Sequence, residues 1–276
     1  MTAWSKRPLG GWRILVPRGG PWGHGVAADL RAVGAKPIVA PMINFAPTED
    51  AETLDRALAA LAEGRFDWLT MTSATTVDVL IAHQAVVPAS THIAAVGETT
   101  AAALTAAGYK VDLVPPEDNS AKGLLRELKR FEQFGPELRV LTLRSDIAKP
   151  VLTEGLIKRG HTVESVVAYR TIGVEVDPQI RTDVAEGSID AVFVTSGSVA
   201  EQVQRQLGPV PESTLVAAIG PRTAEDARAY GLRVDVIAKG RSAESLINSV
   251  IEVANARRAA DPDAETDDFG QQHPAE

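Results

Sequence analysis

The chain contains no cysteine. Disulfides, thiolate nucleophiles, iron–sulfur clusters and thiolate zinc sites are therefore excluded. No apolar run reaches the ~18 residues that a membrane span needs, and the opening MTAWSKRPLGGW lacks an apolar segment long enough for a secretory signal. The expectation is a cytoplasmic protein without a membrane partner. The five histidines, His24, His83, His92, His161 and His273, have no H-E-x-x-H or comparable ligand spacing; His83 and His92 read as structural. The Gly-rich stretch RGGPWGHG (18–25) fits neither G-x-G-x-x-G nor G-x-x-x-x-G-K-[ST] and reads as a tight strand-to-helix turn. There is no G-x-S-x-G elbow. Nothing demands a metal, nucleotide or flavin, so no cofactor is expected.

What is present is ordinary globular chain. It has 276 residues, 45% apolar and 23% charged, enough for one large or two modest domains. The net charge is −8, but residues 261–276 hold six acids and no Lys or Arg. Without them 30 acids face 28 bases, so the folded body is near −2. The stretch 257–276 reads as a solvated, disordered acidic tail, and its charge argues against a nucleic-acid partner.

The informative feature is a duplication. Residues 67–112 align with 190–235 at a constant offset of 123, pairing Asp67/Asp190, Thr72/Thr195, Ser73/Ser196, Gly97/Gly220, Thr100/Thr223, Gly108/Gly231 and Asp112/Asp235. A second match, at offset 126, pairs RILVPR (13–18) with RVLTLR (139–144) and Gly34 with Gly160. Within each unit short apolar strands (ILVP, PIVAP, WLTM, HIAAV, KVDLV; AVFV, LVAAI, RVDVI) alternate with helical stretches, which predicts an α/β fold with parallel sheets covered on both faces. Two pairings of the four units are open: consecutive lobes, or crossed lobes with two strands of chain passing between them. The connectors INFAPTED (43–50) and VVAYRTIGVEVDP (166–178) lack the composition of flexible tethers and suit extended straps.

In open parallel sheets ligands bind beyond the carboxyl ends of the strands. The repeat places Thr72-Ser73, Thr195-Ser196, Gly97-Glu98-Thr99-Thr100 and Gly220-Pro221-Arg222-Thr223 there, each leading into a helix whose first N–H groups lack partners. Each hydroxyl alone reads as a helix cap; recurrence in both halves points to a cleft gripping an anion at several places. Arg18 and Arg144 recur at one repeat position just after a strand and are the best basic candidates. Lys149, Arg170, Arg222, Lys239 and Arg241 also fall near strand ends. Tyr169, one of three tyrosines, lies in the second connector, where it could pack the hinge or donate a hydrogen bond to a leaving group.

Over roughly residues 11–250 the sequence resembles the uroporphyrinogen-III synthase family. The likeness rests on LVPR, TSATTV (72–77), AAVGETTAAAL (94–104), NSAKGLL (119–125), LRSDIAKPVLTEGLIKRG (143–160), VVAYRT (166–171), FVTSGSV (193–199) and AAIGPRTAEDA (217–227), in that order. TAWSKRPLGGW is similar to the linker of actinobacterial methyltransferase/synthase fusions. The resemblance implies two flavodoxin-like lobes with parallel sheets, joined by a two-stranded connector, the chain crossing between lobes twice: 11–44 plus 172–252 as one lobe and 48–168 as the other. It implies cofactor-free cyclisation of hydroxymethylbilane, a linear tetrapyrrole with eight carboxylates, to uroporphyrinogen III with loss of water and inversion of ring D. It also implies Tyr169 as the catalytic residue. Arg18, Ser73, Thr100, Ser120, Arg144, Lys149, Thr195, Ser196, Ser198, Gly220, Arg222 and Thr223 fall at substrate-binding positions. Lys149 stands where relatives often carry Arg, and Arg222 where some carry Thr. A monomer is expected, with hydroxymethylbilane synthase or a methyltransferase as a protein partner. The alternative is a non-catalytic, tetrapyrrole-sensing synthase-like module. A solute-binding protein would normally be exported, and no signal is visible.

Overall fold

The structure is a computed structural model that describes residues 7–130 and 137–260. In chain order its elements are β1 (Arg13–Val16), α1 (Gly20–Ala32), β2 (Lys36–Val39), β3 (Ile43–Pro47), α2 (Ala51–Ala62), β4 (Trp68–Met71), α3 (Thr75–Ala82), β5 (His92–Ala95), α4 (Glu98–Ala106) and α5 (Ala121–Leu128). Then follow β6 (Arg139–Ser145), α6 (Val151–Lys158), β7 (Thr162–Gly173), α7 (Pro178–Ala185), β8 (Ala191–Val194), α8 (Gly197–Leu207), β9 (Leu215–Ala218), α9 (Pro221–Ala229), β10 (Val236–Ile237) and α10 (Ala243–Ala260).

The chain divides into two compact units, one of residues 1–44 and 173–276, the other of residues 45–172. The first contains a five-stranded sheet ordered β10-β9-β8-β1-β2, with every neighbouring pair parallel. Taken in chain order those strands run 2-1-3-4-5, the flavodoxin-like arrangement. The second sheet is ordered β3-β7-β6-β4-β5, with β7–β6, β6–β4 and β4–β5 parallel. An isolated parallel bridge, Ala94 to Leu113, extends it beyond β5. Starting the count at β6 instead of β4 gives the same 2-1-3-4-5 order. The duplication is therefore a circular permutation: the segment that leads in one unit trails in the other, and the chain crosses twice, along the neighbouring strands β3 and β7.

The central strands are buried on both faces, as strands of a helix-covered parallel sheet are. WLTM, AVFV and LVAA are buried at every position. Two apolar clusters flank each sheet: those around Leu69 and Trp68 in the second unit, and those around Ile14 and Leu15 in the first. A buried polar pair inside the second sheet, Thr70 and Thr142, is satisfied by a mutual hydrogen bond of 3.0 Å.

Several repeated residues serve the fold. The Asp67 carboxylate accepts the Arg139 N–H at 2.7 Å, and Asp190 accepts the Arg13 N–H at 2.7 Å. Asp112 accepts from Ile93 at 3.0 Å and Asp235 from Val216 at 2.8 Å. The Thr91 and Thr214 hydroxyls donate to the carbonyls of Phe66 and Ile189. All close the amino ends of neighbouring strands. Gly108 and Gly231 end helices with φ of 87° and 82°, a conformation that a side chain disfavours.

Three expectations are corrected. RGGPWGHG is not wholly a turn, since α1 begins at Gly20 with Pro21 in its first turn. KVDLV forms only the bridge at Leu113, and RVDVI only the two residues of β10. Helix α10 runs to Ala260, into the stretch assigned to the tail: Arg257 donates to the Ser213 carbonyl at 3.2 Å and Arg258 to that of Pro8, which ties the last turn down. The rest of that tail, 261–276, lies outside the described residues.

Burial raises the carboxyl pKa of Asp67, but the Arg139 side chain and N–H outweigh it and hold the group below its usual value. Asp112 is lowered in the same way by Lys110 and the Ile93 N–H. A lowered folded pKa means that the unfolded chain binds more protons below about pH 4. Stability from these groups is complete above that pH and lost as pH falls through the folded pKa. Denaturant titrations at pH 7 and pH 3 should show a smaller acid loss for Asp67→Asn than for wild type; an identical loss would contradict this assignment.

Candidate active site at the strand ends

In the second unit the turns after β4, β5 and β6 lie at the carboxyl end of the sheet. The Ser73 hydroxyl accepts the Thr75 N–H at 3.2 Å, an ST-turn leading into α3. After β5 the backbone at Gly97 is extended (φ −151°), and no side chain caps α4. Thr100 stands in its first turn, 5% exposed. Ser120 caps α5, accepting the Gly123 N–H at 3.1 Å. A Cβ on Gly123 would lie 1.9 Å from the Asp118 carbonyl oxygen, so this close turn requires glycine.

The first unit repeats the pattern. Ser196 caps α8, accepting the Val199 N–H at 3.2 Å, with the Ser198 hydroxyl 3.0 Å from its own. The Thr195 Oγ1 beside them is buried without a hydrogen-bond partner. Gly220 opens α9 with extended backbone and no side-chain cap, and Thr223 is half-buried in the first turn. Capping is thus the observed role of Ser120 and Ser196. It is not the role of Thr100 or Thr223, whose helices start with uncapped N–H groups, a geometry that favours anions.

The basic candidates separate. Arg144, beside a register shift in β6–β7, is committed to its own unit: its guanidinium donates to Ser165 Oγ at 3.1 Å and to the carbonyls of Ser145 and Asp146 at 3.0 and 3.3 Å. Arg222 is exposed and pairs with Asp226 one helical turn on, at 3.4 Å. Lys149 is exposed just before α6. Arg170 pairs with Glu49 at 2.7 Å. Arg18 follows β1, its guanidinium carbon 5.0 Å from the centre of the Trp22 ring.

Tyr169 lies opposite Ser145 near the carboxyl end of β6, the same end of the sheet as Ser73 and Thr100. It is 6% exposed within the apolar cluster, and its ring meets Phe45 edge-on at 5.3 Å between centroids. His83 pairs with Asp55 at 3.1 Å, and His92 stacks on Trp68 at 4.9 Å. Among the described residues no three His, Asp or Glu side chains cluster to hold a metal, and no helix is long and apolar enough to cross a membrane.

Sequence reasoning missed two residues at these ends. Ser242 caps α10, accepting the Ser245 N–H at 3.1 Å. It is the counterpart of Ser120, hidden because the spacing there departs by one residue from the offset of 123. Trp22 was hidden because a tryptophan in a first helical turn carries no motif.

Two doubly wound α/β units, each with hydroxyl-bearing turns at the carboxyl ends of its strands, define a bilobal class of α/β fold. A computed comparison of the sequence with known families matches residues 25–248 to the family described as "Uroporphyrinogen-III synthase HemD". The chain belongs to that family. It is 28% identical over 256 residues to the porphyrin biosynthesis protein HemD of Ruminiclostridium josui, covering 90% of this chain and 50% of that one. It is 34% identical over 175 residues to the uroporphyrinogen-III synthase of Synechococcus elongatus, covering 60% of this chain and 63% of the relative. The chain thus spans about half to two-thirds of these relatives. Two crystal structures share its fold. A mutant uroporphyrinogen III synthase from Thermus thermophilus has a TM-score of 0.62 at 20% identity, covering 90% of this chain and all of that one. The uroporphyrinogen-III synthetase from Helicobacter pylori has a TM-score of 0.58 at 18% identity, covering 88% and 99%.

Proposed function

We propose that this chain is a uroporphyrinogen-III synthase, closing hydroxymethylbilane to uroporphyrinogen III. Family membership supports this reaction class. The observation that supports it most is the pair of turns Gly97–Thr100 and Gly220–Thr223, each a glycine followed by an uncapped helix start with a threonine in its first turn. A substrate with eight carboxylates suits many such neutral contacts. Each turn contributes dipole and N–H donors to an anion without burying a counter-charge. Unassisted closure gives the non-inverted isomer, so the protein must hold the chain with the substituted carbon of ring D nearest the departing hydroxyl's carbon. That is rate enhancement by orientation. In this reading Tyr169 donates a hydrogen bond to the departing hydroxyl, and Ser73, Thr100, Ser120, Thr195, Ser196, Ser198 and Thr223 hold carboxylates with Arg18, Lys149 and Arg222. Arg144 acts indirectly, by shaping the turn after β6. The protein works as a cytoplasmic monomer, supplied by a hydroxymethylbilane synthase and feeding a methyltransferase or a further tetrapyrrole-modifying step.

Turnover distinguishes an enzyme from a sensor. With protein at one part in a hundred of freshly generated hydroxymethylbilane, many equivalents of the type III isomer should form per chain; one equivalent or less would leave only binding. Single contacts should matter little. Thr223→Ala is expected to slow type III formation by less than about tenfold at unchanged stability, because no cap is lost. Ser196→Ala should also lower stability by about 1 kcal/mol, since it removes the α8 cap. Equal melting temperatures for the two variants would contradict the cap assignment.

A further inference from the structure

Arg18 and Arg144 occupy one repeat position, yet the structure treats them differently. The Arg144 guanidinium spends its donors on Ser165 and two carbonyls. The Arg18 guanidinium makes no hydrogen bond or ion pair among the described residues; it lies over the Trp22 ring, 5.0 Å from its centre. Trp22 is itself anchored, half-buried against the apolar cluster of Ile14, Val16 and Val26. The backbone is held just as closely. Gly23 approaches Arg18 so tightly that a Cβ would lie 2.0 Å from the Arg18 carbonyl oxygen. Arg18 leaves β1 beside β8, the point where the strand order reverses and open α/β sheets bind ligands.

An arginine side chain normally loses considerable rotamer freedom when it binds an anion. Stacking on an anchored aromatic face restricts the guanidinium beforehand and leaves its in-plane N–H fork open. Partial burial lowers the Arg18 pKa, but arginine stays protonated in proteins. We infer that Trp22 is a positioning residue for Arg18, holding its guanidinium so that the free N–H fork takes one carboxylate of the anionic substrate. This rests on the synthase reading above. It adds a residue that touches Arg18 and that no repeat or motif marks.

Steady-state kinetics of type III formation, with melting temperatures alongside, test it. Trp22→Leu is expected to raise KM by about 5-fold, and by no more than about 30-fold, with kcat within about twofold, as loss of one cation–π contact implies. Trp22→Phe, which keeps an aromatic face, should recover most of the loss. In an Arg18→Ala background, where KM is already raised, Trp22→Leu should add nothing. KM effects that multiply in the double variant, or a Trp22→Leu variant of lowered melting temperature and unchanged KM, would overturn the proposal. Should Trp22→Leu not fold, Arg18→Lys decides: a stacked planar fork predicts a raised KM although the charge is kept, and an unchanged KM overturns it. If wild type forms no type III isomer, the synthase reading falls together with this one. If wild type is active and these KM values do not move, this proposal alone falls.

Discussion

Tyr169→Phe is expected to slow type III formation by about 100-fold while the melting temperature holds. A positioned proton donor contributes roughly 10²–10⁴-fold, and a hydroxyl leaving an electron-rich pyrrole needs the least help, which sets the low end. Tyr169 stands at the carboxyl end of the second sheet, across from Ser145 and packed on Phe45. Phenylalanine keeps that edge-on ring contact and removes only the hydroxyl. Its effect should exceed that of any single Ser or Thr variant, because the hydroxyls share the grip on eight carboxylates. Type III product, corrected for spontaneous type I closure, is the readout. Near-full activity in Tyr169→Phe, beside a larger loss in Thr100→Ala or Thr223→Ala, would make the tyrosine a packing partner of Phe45.

Gly23→Ala should be the most damaging small substitution in the first unit. Its new Cβ would lie 2.0 Å from the Arg18 carbonyl oxygen, and backbone, unlike a side-chain tip, cannot swing away. Either α1 shifts or the chain at Arg18 does, at a cost of about 1–3 kcal/mol, and the Arg18 guanidinium moves off Trp22. Gly25 is the control. It lies two residues on in the same helix with nothing within 4 Å of its Cβ position, so Gly25→Ala should stabilise by up to about 1 kcal/mol through helix propensity. Chemical denaturation of both variants checks this. A Gly23→Ala protein as stable as wild type would show that the close approach is not required.

Much of this was legible because duplication marks what both units must keep. The paired aspartates, threonines and glycines fall into two groups, one closing the amino ends of strands and the helix ends, the other shaping the carboxyl-end turns. Their sequence spacing revealed the repeat but not the division, because a hydroxyl reads alike in either place. Two lobes follow from four units, yet the repeat alone left open which units pair; the family resemblance implied the crossed pairing, which the strand order has. β10 covers only two residues of RVDVI, at the outer edge of its sheet. The contrast between Arg18 and Arg144 could not be read at all. It depends on Ser165, brought beside Arg144 by the pairing of β6 with β7, and on a ring one helical turn beyond Arg18. Neither neighbour is part of the repeated pattern.

The ratio of type III to type I product from hydroxymethylbilane, followed as protein concentration is raised, tests the central claim most directly. Spontaneous closure supplies type I, so the account predicts a type III fraction that climbs towards completeness with protein and needs no added cofactor. A ratio fixed at the spontaneous value at every protein concentration, with the linear tetrapyrrole still bound, would contradict it.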